Sequence, residues 1–196
     1  MIIAIKHKEQ VKVVFDASEL NVIGLSQADL KREANLPYWR AENTNDIYVF
    51  SNMSTFCGDL FRYQPIIKAP LTLKSLQIET VAALIEVFKE FKCLSDKGVF
   101  ENDILVVSPT SIYTIDQFRL VTKHHDFCVL DYHRTFIEEV LKVTSNEPFD
   151  QQINSVIDYR SSYINRTLGP YFIFDVQSGT LNQLHSEKEK HLFHSD

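Results

Sequence analysis

The chain begins with Met1-Ile2-Ile3-Ala4-Ile5-Lys6-His7-Lys8, followed after two polar residues by Val11-Lys12-Val13-Val14-Phe15-Asp16. Both stretches are rich in the β-branched and aromatic residues that favour strands. The short polar link between them is typical of a hairpin turn. The sequence therefore predicts two antiparallel strands, the first of which starts at the beginning of the chain.

Composition restricts the class of protein. The 196 residues suffice for one domain with a substantial core, and 44% hydrophobic residues argue against intrinsic disorder. A net charge of −6 without a basic cluster larger than a pair argues against a nucleic-acid partner. No apolar run approaches the roughly 18–20 residues of a membrane span. Cys57, Cys93 and Cys128 fit no disulfide framework, which favours a reducing compartment. We therefore expect a soluble, cytoplasmic protein.

The rest of the chain alternates between strand-like and helix-like blocks. The clearest helix is predicted over residues 75–92, where Ile78, Val81, Ile85 and Phe88 recur at helical spacing. Four short β-rich runs follow, which indicate an antiparallel meander. They cover residues 103–108, 111–115, 118–122 and 127–130. Segregated helices and hairpin-length links favour an α+β layered fold.

Further elements complete this pattern. The sequence predicts two helices and a final apolar strand near the C-terminus, and several short elements before residue 64. The former cover residues 132–144, 149–164 and 171–176; the latter are a helix at 26–33, strands at 46–50 and 54–57, and a helix starting at 58. Residues 177–196 are polar, and we expect them to fray or dock loosely.

This order of elements resembles the N-terminal-nucleophile hydrolases of the proteasome type, the family of the proteasome β-subunit and the bacterial HslV peptidase. Residues 2–16 are similar to the family's opening hairpin, and Ser111–Ile115 with Asp116 and Phe118 to the hairpin after its second helix. The resemblance implies a four-layer αββα sandwich of two stacked antiparallel sheets flanked by helices. It implies one such domain over residues 1–176, followed by a polar tail at 177–196. It also implies a homo-oligomer, since such folds form rings or face-to-face pairs.

The resemblance also assigns site positions. In this family a Thr, Ser or Cys at the mature N-terminus attacks an amide, and its own α-amine can act as the base. That nucleophile falls at Met1. The family's orienting aspartate matches Asp16, its lysine falls near Glu42, where the charge is reversed, and its oxyanion-binding glycine falls at Gly58.

The nucleophile and the lysine are thus missing from a site that keeps the other positions. The first ten residues contain no Thr, Ser or Cys, we expect no segment before the first strand to be cut away, and the large Ile2 predicts that Met1 is retained. We therefore expect Met1, Asp16, Glu42 and Gly58 to form a vestigial site without a cofactor or a metal. The expected function is a binding or assembly scaffold.

Two other classes of function remain open at this stage. One is an enzyme with an internal nucleophile: Cys57 precedes Gly58 at a predicted strand-to-helix turn, where a helix N-terminus lowers a thiol pKa. His7 or His133 would then be its base, whereas a thiol buried among apolar side chains would exclude this mechanism. The other is a small-molecule-binding α+β domain unrelated to hydrolases. A sheet order other than two stacked antiparallel sheets would support it.

Three further groups have an ordinary structural interpretation beside a functional one. Tyr38-Trp39-Arg40 fits either an interaction surface, where aromatic residues and Arg are enriched, or a loop that covers the sheet. Histidines and aspartates at 124–126 and 131–133 invite a metal site, but their spacing favours exposed turn residues. His185, His191 and His194 lie in the polar tail.

Overall fold

Two five-stranded antiparallel sheets, each flanked by helices, make up the computed structural model, which describes residues 1–16, 36–41, 44, 46–164 and 171–184. The strands are β1 Ile2–His7, β2 Gln10–Asp16, β3 Tyr38–Arg40, β4 Tyr48–Phe50, β5 Ile104–Ser108, β6 Ser111–Ile115, β7 Val121–His124, β8 Phe127–Leu130, β9 Tyr171–Asp175 and β10 Thr180–Leu184. The helices are α1 Thr55–Tyr63, α2 in three consecutive segments (Leu73–Ser75, the π-helical Leu76–Thr80 and Val81–Glu90), α3 Arg134–Val143 and α4 Phe149–Ile164.

The strand order defines the two sheets. The first sheet has the order β10-β9-β2-β1-β8 and the second has β3-β4-β5-β6-β7. The predicted opening hairpin is confirmed: β1 pairs with β2 from Ile2 opposite Phe15 to His7 opposite Gln10. It forms the centre of the first sheet, with β8 on one side and β9 on the other.

Three apolar layers hold the sandwich together. The middle layer lies between the sheets and contains Phe15, Phe50 and Phe172. A second layer joins the first sheet to α3 and α4, and a third joins the second sheet to α1 and α2. Both faces of each sheet are therefore buried, which explains why the central strands are apolar at nearly every position. The predicted αββα sandwich is confirmed, and the different sheet order that would have favoured a small-molecule-binding α+β domain is not observed in the described residues.

The π-helical segment of α2 changes which side chains face the core. A π turn inserts an extra residue, which shifts every preceding side chain by about 100° around the helix axis. Val81 and Phe88 are buried, as the predicted stripe requires. Ile78 lies within the π-helical segment and is 59% exposed, and Leu76 is buried instead. The sequence prediction was wrong for Ile78 because it assumed a regular period of 3.6 residues.

The structure differs from the sequence prediction at two predicted strands, residues 54–57 and residues 127–130. Residues 54–57 start a helix, because the Ser54 hydroxyl accepts a hydrogen bond from the Cys57 amide and caps α1. The predicted four-stranded meander ends after three strands. Its last member, β8, crosses to the first sheet and pairs with β1.

The C-terminal part of the chain adds a strand that was not predicted. Residues 180–184 form β10, which pairs with β9 along its whole length. The expected loose polar tail from residue 177 is therefore wrong for this segment. Residues 185–196 and the predicted helix at 26–33 lie outside the described residues. In the part of the chain that the structure describes, no helix is long and apolar enough to cross a membrane.

Candidate functional site: a charged row at the chain start

Four residues at one end of the first sheet lie in one row across neighbouring strands. Ile2 is opposite both Leu130 and Phe15, so Met1, one position earlier, lies beside Asp131 and Asp16. Asp16 in turn is opposite Tyr171. We call Asp131, Met1, Asp16 and Tyr171 the N-terminal row.

The alternation of the strands decides which way the row faces. Ile2, Phe15 and Leu130 belong to the layer between the two sheets. Successive residues of a strand point to opposite faces. The N-terminal row therefore faces α3 and α4, and Arg160 on α4 lies over it.

Arg160 connects three members of the row. Its Nη1 lies 2.5 Å from Asp16 Oδ2, and its Nη2 lies 3.4 Å from Asp131 Oδ2. The same Nη1 donates to the Tyr171 hydroxyl oxygen at 3.5 Å. The side chains of Arg160, Asp16 and Asp131 are only 11%, 4% and 5% exposed. The guanidinium thus bridges two buried carboxylates across the width of two strands.

The α-amine of Met1 is the second positive charge of the site. Its nitrogen lies 3.7 Å from Asp131 Oδ2, and the Met1 carbonyl accepts a hydrogen bond from the Asp16 amide at 3.0 Å. Burial, and then the charge of Arg160, lower the pKa of this amine below its ordinary value of 8.0, although Asp131 and Asp16 act in the opposite direction. Two positive and two negative groups therefore balance in this site.

Arg160 and Tyr171 keep their usual protonation in this site. Burial opposes the charge of Arg160, but hydrogen bonds to Asp16 and Tyr171 raise its pKa further. Burial raises the pKa of Tyr171 and outweighs the effect of the nearby guanidinium. The Tyr171 phenol is thus a neutral hydrogen-bonding group, and Arg160 is a permanent cation.

Local structure fixes the Asp131 carboxylate at the junction of β8 and α3. Its Oδ1 accepts a hydrogen bond from the His133 amide at 2.8 Å. An Asp that bonds the backbone two residues later forms a turn of its own. This turn leads the chain from the sheet into α3 and leaves Oδ2 to face Met1 and Arg160.

The structure places the sequence-predicted site residues in different parts of the fold. Met1 and Asp16 are neighbours in the row. Gly58 lies within α1, where its N–H donates to the Ser54 carbonyl at 2.9 Å and the indole ring of Trp39 packs over it. The N–H that the resemblance assigns to oxyanion binding is therefore already bonded within the helix. Glu42 lies outside the described residues.

The alternative nucleophile is separated from its proposed bases. Cys57 is buried in the layer between the second sheet and its helices. His7 packs against Phe149 of α4, and His133 lies at the start of α3, so both belong to the opposite helical layer. The geometry contradicts a catalytic pair of Cys57 with either histidine.

The other candidate groups have structural partners. In the described part of the chain, no three His, Cys, Asp or Glu side chains converge as metal ligands would. His124 Nε2 lies 2.9 Å from the Thr114 hydroxyl, and burial lowers the pKa of His124. The tail histidines lie outside the described residues.

The predicted aromatic interaction surface is instead part of the core. Trp39 is 3% exposed, and its Nε1 donates to Asp59 at 3.3 Å. Tyr38 packs on Phe174 with ring centroids 4.8 Å apart. The three residues form strand β3 at the edge of the second sheet, so the interaction-surface hypothesis is wrong for both rings.

Sequence reasoning considered Asp131 only as a metal ligand, and it missed Arg160 and Tyr171. One signal was present: Arg160 follows Val156 by one helical turn, on the stripe of α4 that also buries Ile153. A charged residue on an inward helical stripe needs a buried partner. Its partner Asp16 lies 144 positions away in the chain, which is why the spacing of residues along the sequence could not identify the pair.

The two stacked antiparallel sheets with their flanking helices define the fold as the proteasome-like sandwich seen in N-terminal-nucleophile hydrolases. Solved structures with this fold superpose on most of the chain. One is Thiobacillus denitrificans BPH in complex with epoxomicin, with a TM-score of 0.58 and 17% sequence identity over 89% of this chain and 98% of that chain. Another is eukaryotic HslV from Trypanosoma brucei, with a TM-score of 0.55 and 11% sequence identity over 88% of this chain and 96% of that chain. A third is Anbu, an ancestral beta-subunit from Yersinia bercovieri, with a TM-score of 0.57 and 10% sequence identity over 97% of this chain and 89% of that chain.

These likenesses establish the fold alone, because the sequence identities are low. No family model matches the chain, and no curated protein matches it either. The chemistry of the site must therefore be argued from its own residues. Those residues supply a buried amine with a lowered pKa and two oriented carboxylates, but Met1 offers a thioether where acyl transfer needs a hydroxyl or thiol.

Proposed function

We propose that this chain is a catalytically inactive protein with a proteasome-like fold that acts as a binding or assembly scaffold. The observation that carries the proposal is the identity of Met1 at the start of the central strand. Its α-amine lies 3.7 Å from Asp131, so the base of the family's mechanism has a buried ionic partner. The side chain beside that amine has no hydroxyl or thiol to activate.

Arg160 supports the same interpretation. A catalytic cation has to approach the nucleophile, but Arg160 is held by Asp16 and Asp131 and covers the row from the α4 side. Buried ion pairs of this kind fix geometry more reliably than they add stability. We infer that the row now anchors the first residue of the sheet to α4.

Two assays of the purified chain test the loss of activity. Fluorogenic peptide amides measure turnover, and mass spectrometry after incubation with epoxomicin, which one structural neighbour binds, measures adduct formation. The matched variant is Met1→Thr, produced behind a cleavable leader. We expect no turnover and no adduct for the chain that starts at Met1. Turnover of either kind would overturn the proposal: turnover that disappears when the α-amine is acetylated would place the active site at Met1, and turnover that survives acetylation would place it elsewhere.

The scaffold role requires a surface for self-association, and α3 and α4 provide one. Four aromatic side chains, Tyr132, Phe136, Tyr159 and Tyr163, form what we call the aromatic face. Tyr132, Phe136 and Tyr163 are 97%, 50% and 60% exposed. The rings of Tyr159 and Tyr163 stack with centroids 6.1 Å apart, and Phe136 lies 5.9 Å from Tyr163. Contiguous exposed apolar surface of this kind marks interaction sites.

We assign the aromatic face to contacts between copies of this chain. Sedimentation equilibrium over a wide concentration range tests this, with Phe136→Ser as the variant. We expect the wild-type mass to exceed that of one chain and the variant to dissociate at higher concentration. A wild-type chain that stays monomeric would contradict the homo-oligomer. We also place the protein in the cytoplasm, because Cys57, Cys93 and Cys128 are all free thiols.

A further inference from the structure

A second exposed apolar surface lies on the opposite helical layer. Leu73 and Ile78 of α2, with Phe118 and Leu120 of the turn between β6 and β7, form what we call the hairpin face. They are 46%, 59%, 68% and 61% exposed. Gln77 joins the two parts, because this neighbour of Ile78 bonds the backbone of the turn.

Hydrogen bonds fix the geometry of the hairpin face. The Gln77 amide donates to the Arg119 carbonyl at 3.2 Å and accepts from the Val121 amide at 3.0 Å. The Asp116 carboxylate accepts from the Leu120 amide at 2.8 Å. The exposure of Phe118 and Leu120 is therefore built into a bonded turn. A preorganised apolar surface loses little conformational entropy when it binds.

The charges beside the hairpin face are mainly positive. Lys74, Arg119 and Lys123 stand next to or between its apolar residues. Within residues 73–80 and 116–124, which form this face, Glu79 is the exposed carboxylate, since Asp116 is turned back onto the Leu120 amide. This surface is therefore basic, although the whole chain has a net charge of −6.

The charges beside the aromatic face have the opposite balance. The basic residues of α3 are each matched by an acid, since Arg134 pairs with Glu138 and Lys142 with Glu139. Asp158, next to Tyr159 on α4, is exposed and adds an unmatched negative charge to the described part of this surface. The two faces are thus both apolar and electrostatically complementary.

We propose that the hairpin face of one copy binds the aromatic face of the next, in a heterologous, head-to-tail contact. This inference rests on the homo-oligomer of the proposed function and specifies its interface. The two faces lie on opposite helical layers, so one copy cannot bring its own pair together. A contact of the hairpin face with itself would oppose like charges, which costs affinity. A heterologous contact leaves one face of each kind free at the ends of an open assembly.

Mixing two single-face variants tests the contact. Phe118→Ser weakens the hairpin face and Tyr163→Ser the aromatic face, and both side chains are exposed, so the fold should persist; circular dichroism checks this. Phe56→Ser, which removes an exposed ring outside both faces, is the matched control. Light scattering coupled to size exclusion measures the mass of each variant and of equimolar mixtures.

We expect the control to assemble like the wild type and each face variant to be monomeric at the same concentration. The equimolar mixture of the two variants should form a one-to-one dimer, because each supplies the face that the other lacks. Two results would overturn the head-to-tail contact and leave the homo-oligomer intact: normal assembly of Phe118→Ser, or no dimer in the mixture while the wild type assembles. A monomeric wild type would overturn both the contact and the homo-oligomer.

Discussion

Arg160 Nη1 lies 2.5 Å from Asp16 Oδ2, although 144 positions separate the two residues in the chain. Asp16 ends the second strand and Arg160 projects from the last described helix. Their contact joins the first sheet to its helical layer at the point where the chain starts. The same guanidinium reaches Asp131, so one buried cation lies between two buried carboxylates, and the Met1 α-amine gives Asp131 a second positive partner.

Removal of this guanidinium should destabilise the fold strongly. Arg160→Met keeps an apolar stem but leaves Asp16 and Asp131 without their shared cation, and loss of one partner of a buried pair costs about 3–5 kcal/mol. Urea denaturation measures the change in the free energy of unfolding. The control is Arg134→Met, whose exposed pair with Glu138 should contribute less than about 1 kcal/mol. Equal losses in the two variants would contradict the structural role of Arg160.

The buried α-amine predicts a pH dependence. Burial and Arg160 lower its folded-state pKa below 8.0, so between the folded and unfolded pKa values the unfolded chain binds more protons. Stability should therefore rise with pH across this window, up to about pH 8, and fall as the pH drops through the folded pKa. Denaturation at a series of pH values measures this slope. Chains acetylated at Met1 are the control and should lack this contribution; identical slopes would refute it.

Close packing at Gly58 predicts a steric effect. A Cβ built on this residue would lie 1.7 Å from Cζ2 of Trp39, so Gly58→Ala must displace the indole ring. Overpacking of a core costs about 1–3 kcal/mol. Thermal denaturation checks the loss, and the double variant with Trp39→Leu should recover part of it. Additive effects in this cycle would show that the two residues do not interact.

Gln77 predicts a protected edge on β7. Its side chain bonds the Arg119 carbonyl and the Val121 amide, as a neighbouring strand would. In Gln77→Ala the buried Val121 amide loses its acceptor, which costs about 1–3 kcal/mol. Amide hydrogen exchange at Val121 should accelerate accordingly. Gln151→Ala, at an exposed position of α4, should leave that exchange rate unchanged, and an unaltered rate in Gln77→Ala would argue against the edge-protecting role.

Local pattern was sufficient for the opening hairpin and for most of the helices. The apolar runs of β1 and β2 favour strands regardless of which strand each one pairs with. The helical spacing of apolar residues over 149–164 predicts α4. The resemblance of the element order led to the layered fold. Asp16 was found because the resemblance places the family's orienting aspartate at the end of the second strand.

Tertiary structure decided the features that depend on distant parts of the chain. The pairing of β8 with β1, rather than with β7, places Asp131 beside Met1. The register of β9 places Tyr171 beside Asp16, and the docking of α4 brings Arg160 over all of them. No local pattern encodes these neighbours. The sequence by itself determined that Met1, which carries a thioether, directly precedes the central strand Ile2–His7. Only the packing of α4 and β8 against the sheet decided which charges surround it, because buried ions require partners that folding alone brings together.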